Sequence, residues 1–202
     1  MPAIGNVNLV LFGAPGSGKG TQSAFLIERY GIPQISTGDI LRAQRQAGTP
    51  LADRVKGYMD RGELVPDEVM IEIVRERLRQ PDTAGGFILD GFPRTVPQAE
   101  ALDRMLADLG KRIEKVIYLQ VGREALIDRL VHRGRLFDRP DDDPTVAARR
   151  IDVFLSDTAP LIDYYGSQHK LEQVDGQLSI EQVRDDILRR LNSLNGQGRR
   201  RP

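Results

Sequence analysis

The chain has no cysteine and only two histidines, His132 and His169, 37 positions apart. These scarcities exclude a disulfide framework, a thiol nucleophile and a Cys-ligated zinc site, and the histidines are too far apart to make a good metal pair. Zinc is not expected, and any metal should arrive with a substrate. Long apolar runs are also missing. None approaches the roughly 20 residues that a membrane-spanning helix needs, and Met1 to Asn8 lacks the charged start and apolar stretch of a secretory signal. The expected location is the cytoplasm. An excess of one charge is lacking too, since 29 Lys and Arg balance 29 Asp and Glu. Bulk electrostatics therefore gives no footprint for nucleic acid or a membrane surface, and neither is expected as a partner.

What is present is the material for a core. With 202 residues, 40% of them hydrophobic, the chain suits one main folding unit over 1–202, expected as a monomer. Short β-rich runs fall at Asn8–Phe12, Gln34–Ser36, Gly86–Asp90, Val116–Gln120 and Leu171–Val174, with helix-like spacing between them. Alternation of this kind predicts an α/β fold: a five-stranded parallel sheet covered by helices on both faces, because parallel neighbours need a crossover long enough to hold a helix. Val-Ile-Tyr-Leu at 116–119 is apolar on both faces, as a covered strand requires.

Two stretches interrupt the alternation. From Thr37 to Arg79 one helical pattern follows another, broken at Gly48-Thr49-Pro50, Gly62 and Pro66-Asp67. This predicts a helical insert, with residues 36–65 as a mobile subregion. From Gly134 to Asp143 the apolar period vanishes and turn chemistry dominates, so an exposed loop between two helices is expected, with 133–143 as a second mobile subregion. The tail from Asn192, with Arg199 to Arg201, is expected to fray.

Directly after the first β-rich run comes Gly13-Ala14-Pro15-Gly16-Ser17-Gly18-Lys19-Gly20-Thr21, and a helical pattern continues from Gln22. Strand, glycine loop and helix in this order form a phosphate cradle. Glycines let successive N–H groups turn inward, the helix presents its positive dipole end, and Lys19 supplies a mobile ammonium. A plain glycine-rich turn would not require the Gly-x4-Gly-Lys spacing in that structural context. Gly20 stands where the strict pattern has Ser or Thr, so the hydroxyl of Thr21 is displaced by one position from direct magnesium ligation. Asp90 ends an apolar strand and should lie beside the loop at the carboxyl edge of the sheet. With Asp39, it is the candidate for organising a magnesium shell carried by nucleotide and waters.

Gly-x-Pro-Gly-x-Gly-Lys-Gly-Thr, together with Ser36-Thr37-Gly38-Asp39-Ile40-Leu41-Arg42 and Asp90-Gly91-Phe92-Pro93-Arg94-Thr95, resembles the adenylate kinase family of nucleoside monophosphate kinases from Val7 to about Leu194. The resemblance implies a P-loop NTPase-type three-layer fold with a helical NMP-binding insert and a short lid, and reversible phosphoryl transfer from MgATP to AMP. It also assigns roles. ATP would be held by Gly16, Ser17, Gly18, Lys19, Gly20, Thr21, Arg129, Arg133, Gly176 and Leu178. AMP would be held by Thr37, Arg42, the backbone of Glu63-Leu64-Val65, Gly91, Phe92, Pro93, Arg94, Gln98, Arg139 and Arg150. Arg42 and Arg94 match the pair that grips the α-phosphate, a task for which a planar fork suits better than an ammonium. The catalytic set implied is Lys19, Arg94, Arg129, Arg133, Arg139 and Arg150.

Each of those arginines alone would pass for a surface charge. As a set they suit a reaction that spreads negative charge over equatorial oxygens while bringing two anionic nucleotides together. Asp138, Asp141, Asp142 and Asp143 could hold the lid arginines in place. The loop of about ten residues between its helices corresponds to the short lid, without the inserted module that sometimes binds zinc. Two alternatives stay open. UMP/CMP kinases usually carry Ala where this chain has Thr37 and Asn where it has Thr95, and a P-loop also serves nucleotide-dependent binding modules.

Overall fold

The computed structural model describes residues 7–137 and 143–197, apart from the side chains of 135–137 and 193–197. The chain begins with strand β1 (Val7–Phe12), then helix α1 (Lys19–Tyr30) and β2 (Gln34–Ser36). Three helices follow without a strand: α2 (Thr37–Gln46), α3 (Pro50–Arg61) and α4 (Asp67–Leu78). Next come β3 (Gly86–Asp90), α5 (Val96–Asp108), β4 (Lys115–Gln120), α6 (Arg123–Phe137) and α7 (Pro144–Val153). After one wide π-type turn (Phe154–Thr158), α8 (Leu161–Ser167), β5 (Leu171–Asp175) and α9 (Ile180–Gln197) complete the described chain.

The five strands are parallel, in the order β2-β3-β1-β4-β5. The three central strands, β1, β3 and β4, are largely apolar because both faces are covered, and successive residues serve opposite layers, whereas the edge strands β2 and β5 carry polar and partly exposed residues. Val10, Phe12, Phe87, Leu89 and Val116 pack with α2 to α8. Val7, Leu9, Leu11, Ile88, Ile117 and Leu119 pack with α1 and α9 through Leu26, Val183, Ile187 and Leu191. Removing a side chain of this size from water contributes about 1.5–3 kcal/mol, so the alternation fixes register strongly.

The helical insert is punctuated by its own chemistry. Ser36 caps α2 by accepting from the Asp39 N–H at 3.3 Å, and Thr49 caps α3 by accepting from Ala52 N–H at 3.3 Å, with Pro50 in its first turn. Gly62 closes α3 at φ 68°, where its N–H donates to the Met59 carbonyl.

Two boundaries differ from expectation. Helix α6 runs through Gly134 to Phe137 instead of ending at the glycine, and α9 runs to Gln197 instead of fraying from Asn192. A lone glycine inside a helix costs only about 1 kcal/mol relative to alanine and does not by itself end one. The expected lid residues Asp138, Arg139, Asp141 and Asp142, and the basic tail at Arg199 to Arg201, lie outside the described residues. No helix among the described residues is long and apolar enough to cross a membrane.

Candidate active site

The sheet places its carboxyl edge under one cleft. Register aligns Leu11 of β1 with Asp90 of β3, and Asp90 with Ser36 of β2, while Phe12 lies beside Tyr118 of β4. The loops that follow β1 and β3, and helix α2 directly after β2, therefore leave the sheet side by side. They line a cavity of about 960 Å³ together with Arg129, His132 and Arg133 of α6, Arg150 of α7, and Gly176, Leu178 and Ile180 after β5. This is the crevice beyond the strand ends where open α/β sheets bind ligands.

At one end the glycine loop folds back on itself, with Ser17 N–H donating to the Ala14 carbonyl at 3.1 Å. Gly16 has φ +83°, and a Cβ there would meet the Leu126 carbonyl and Leu130 Cγ at 3.0 Å. A side chain is excluded twice, by backbone conformation and by the approach of α6. Gly18 then caps α1, so Lys19, Gly20 and Thr21 form the first turn, where N–H groups have no helical partner.

Lys19 Nζ donates to the Gly13 and Ala14 carbonyls at 2.9 and 3.1 Å. Burial pushes its ammonium down to about 8, opposed by the nearby Asp90 carboxylate and reinforced by Arg94, Arg150 and Arg133. The side chains that bear on Lys19 thus come from β3, its following loop, α6 and α7.

Asp90 also accepts from Gln34 Nε2 at 3.0 Å on one carboxylate oxygen. Among the described residues no group of three or more His, Asp or Glu is placed to hold a metal ion. Asp90 and Asp39 both line the cleft. One or two carboxylates beside a phosphate cradle suit a magnesium ion that keeps its waters and comes with a nucleotide, not a cage made by protein alone. Asp39 is engaged with Arg42 at 2.6 Å, one turn along α2.

At the other end the cleft leads to a smaller cavity of about 70 Å³ lined by Thr37, Leu41, Met59, Glu63, Leu64, Val65, Met70 and Gln98. Arg42, Arg94 and Arg150 line both cavities. Gly91 joins the two main segments: its carbonyl accepts from Thr37 Oγ1 at 2.9 Å and from Arg94 Nε at 2.8 Å. Gly91 has φ +80°, and a Cβ there would come within 2.8 Å of Thr37 Oγ1. The Phe92–Pro93 peptide that follows is cis, and Phe92 is buried in the core. Burial first, and the neighbouring Arg150 second, hold the Arg94 guanidinium down to about 10. It remains cationic at neutral pH in a site crowded with positive charge, a setting that favours an anion.

Of the site residues it describes, the structure places all but Phe92 along these two cavities, Phe92 being buried in the core instead, and several of the others are already committed. Thr37 spends its hydroxyl proton on Gly91. The N–H of Glu63 donates to the Tyr58 carbonyl at 2.9 Å, and the Glu63 carboxylate pairs with Arg61 at 2.9 Å. Gln98 donates to Asp67 and accepts from the Arg94 N–H, both at 2.7 Å. Arg129 donates to the Gly176 carbonyl at 3.0 Å, tying α6 to the loop after β5. Asp143, expected to hold lid arginines, caps α7 by accepting from Thr145 N–H at 3.0 Å.

Sequence reading missed the apolar wall of Leu41, Met59 and Met70, and it missed Asp67. The wall looks like ordinary helical core in sequence, and Asp67 looks like a common first-turn acid.

A phosphate cradle at the carboxyl edge of a parallel sheet, facing an arginine-rich second slot, defines a P-loop phosphotransferase. Comparison with known proteins narrows this. The family model described as adenylate kinase matches residues 11–170. A protein named adenylate kinase from Caulobacter sp. (strain K31) is 50% identical over 181 aligned positions, covering 90% of this chain and 96% of the relative. Those from Alkaliphilus oremlandii (strain OhILAs) and Geobacillus sp. (strain WCH70) are 46% and 45% identical over 214 and 215 positions, covering 93% of this chain and nearly all of each relative. The chain belongs to the adenylate kinase family. Its alignments with the latter two extend over more positions than the whole chain contains, so those relatives carry residues with no counterpart here.

Proposed function

We propose that the protein catalyses reversible transfer of the terminal phosphoryl group of MgATP to AMP, giving two ADP, and so balances the adenine nucleotide pool. The observation that carries this reading is the cleft with two ends: a backbone cradle around Lys19 at one, a smaller slot with an apolar wall at the other, and Arg94 and Arg150 lining both cavities.

In this reading the donor phosphates sit on the loop Gly16 to Thr21, and Leu178 and the backbone at Gly176 border the donor base. AMP occupies the slot, its phosphate held by Arg42 and Arg94 and its base enclosed by Thr37, Gln98 and the segment Glu63 to Val65. Arg129, Arg133 and Arg150, with Arg139 from the lid, offset the repulsion between two anions and the charge that spreads in transfer. The AMP phosphate is already ionised near neutral pH, so no general base is required. Magnesium, held by nucleotide oxygens and waters with Asp90 and Asp39 at its periphery, would neutralise the bridging phosphates. Closure of residues 36–65 and of the short lid, 133–143, would exclude water, which otherwise competes with AMP. A cytoplasmic monomer completes the proposal, checked by sedimentation and cell fractionation.

The decisive experiment is a coupled assay of purified protein with MgATP and, separately, AMP, dAMP, UMP, CMP and GMP, with a no-acceptor control. Rapid ADP formation with AMP, or with AMP and dAMP, is expected. Preference for UMP or CMP would overturn the base assignment, and no transfer to any acceptor would overturn the enzyme assignment.

A further inference from the structure

The assigned reaction leaves Asp67 unused. It opens α4, is partly buried, and commits both carboxylate oxygens across the molecule to α5. Oδ1 accepts from Gln98 Nε2 at 2.7 Å, and Oδ2 accepts from Thr95 Oγ1 at 2.8 Å. The same Thr95 hydroxyl caps α5 by accepting from the Gln98 N–H at 3.3 Å, and Gln98 Oε1 accepts from the Arg94 N–H at 2.7 Å. Gln98 is 1% exposed and lines the small slot.

A glutamine amide has two orientations of nearly equal shape, and its neighbours decide between them. Here both neighbours are one-way. An ionised carboxylate only accepts and a backbone N–H only donates, so turning the amide over would set oxygen against oxygen and N–H against N–H. The amide nitrogen retains one further N–H, and the amide oxygen retains one further lone pair. A 6-aminopurine offers a matching edge, an amino donor beside a ring-nitrogen acceptor. A 6-oxopurine offers the reverse, a carbonyl acceptor beside a ring N–H donor, and would leave buried polar groups facing like groups.

We propose that Asp67 is a positioning residue that fixes the Gln98 amide in the sense that accepts a 6-aminopurine nucleotide and rejects a 6-oxopurine one. This rests on the reading of the slot as the acceptor-base site. Asp67 acts through Gln98 and does not touch the substrate. It lies 31 positions from its partner, which is why no local motif reveals it.

The test compares wild type, Asp67→Asn and Gln98→Ala for kcat and KM with AMP and with IMP, for KM with ATP, and for Tm. Asparagine keeps the size of the side chain but both donates and accepts, so of the two one-way neighbours only the Arg94 N–H still favours the present amide orientation. For Asp67→Asn the preference for AMP over IMP in kcat/KM should fall about tenfold, the order expected when a buried charge-assisted hydrogen bond is lost. The fall should come mainly through KM for AMP, with kcat, KM for ATP and Tm near wild type. If Gln98→Ala loses the preference while Asp67→Asn keeps it, the slot reading stands and the role of Asp67 is overturned. If neither variant changes it, the slot reading itself fails, and this proposal with it. A fall in Tm and in kcat for both acceptors alike, with the preference intact, would make Asp67 merely structural and also overturn the proposal.

Discussion

In the proposed reading, the two ends of the cleft recognise their ligands by different means. The donor end is built from one contiguous stretch, Gly13 to Thr21, whose groups are largely backbone N–H, supported by α6 and the loop after β5. The acceptor end is assembled from side chains on separate segments: Thr37 and Arg42 on α2, Arg94 and Gln98 after β3, and Asp67 behind them on α4. Backbone recognition suits a phosphate, which has the same shape whatever base it carries. Side-chain recognition suits a base, whose edge differs by a donor or an acceptor. The donor end should therefore tolerate side-chain change except at Lys19 and the glycines, and the acceptor end should be tunable one residue at a time.

Lys19→Met should sharpen this contrast most. Removing the sole ammonium of the cradle is expected to cost about 3–4 kcal/mol of transition-state stabilisation, roughly 10²–10³ in kcat, with circular dichroism and Tm showing an intact fold. Near-normal turnover would sink the assignment of the loop. Next in size, Arg94→Ala should weaken AMP-dependent transfer by about 1.5–3 kcal/mol, the worth of a hydrogen bond to a charged group, while calorimetric ATP affinity changes little. Loss of ATP binding with AMP binding unchanged would mean the two ends have been assigned the wrong way round.

A smaller effect is expected at Thr37→Ala, which deletes the donor to the Gly91 carbonyl. A loss of about 1 kcal/mol in kcat/KM for AMP, with a narrowed gap between AMP and UMP, is the expected result of acceptor competition assays. The smallest effect concerns stability and pH. The folded state holds Lys19 near 8 against 10.5 when unfolded, so between those values the unfolded chain binds more protons and wild-type stability rises with pH. Below about 8 the folded protein bears the full cost of the buried ammonium. Nucleotide-free Lys19→Met should accordingly be more stable than wild type at pH 7, and the difference in urea midpoint should shrink toward pH 10. A constant difference across that range would remove burial as the cause of the depressed value.

Legibility in the sequence followed the same divide. The donor loop was readable because its parts are neighbours in the chain and its glycines are demanded by local backbone geometry. The central strands were readable within a residue or two because a doubly covered strand must be largely apolar, as at Phe87-Ile88-Leu89. The end of α6 was misjudged because Gly134 is a weak stop signal and neighbouring packing outweighs it. The engagement of Gln98 by Asp67 was invisible because the interacting groups lie 31 positions apart and each alone resembles a common helix-start residue.

By itself, the sequence determined the alternation of strands and helices, the phosphate cradle and the residue types gathered around it, since these depend on periodicity and on neighbours within a turn. Tertiary structure alone decided the strand order β2-β3-β1-β4-β5, the approach of Asp90, Arg94, Arg133 and Arg150 to Lys19, and the sense in which the Gln98 amide faces the slot. Those outcomes depend on which distant groups share a buried space, where an unmatched donor, acceptor or charge is costly enough to select one arrangement.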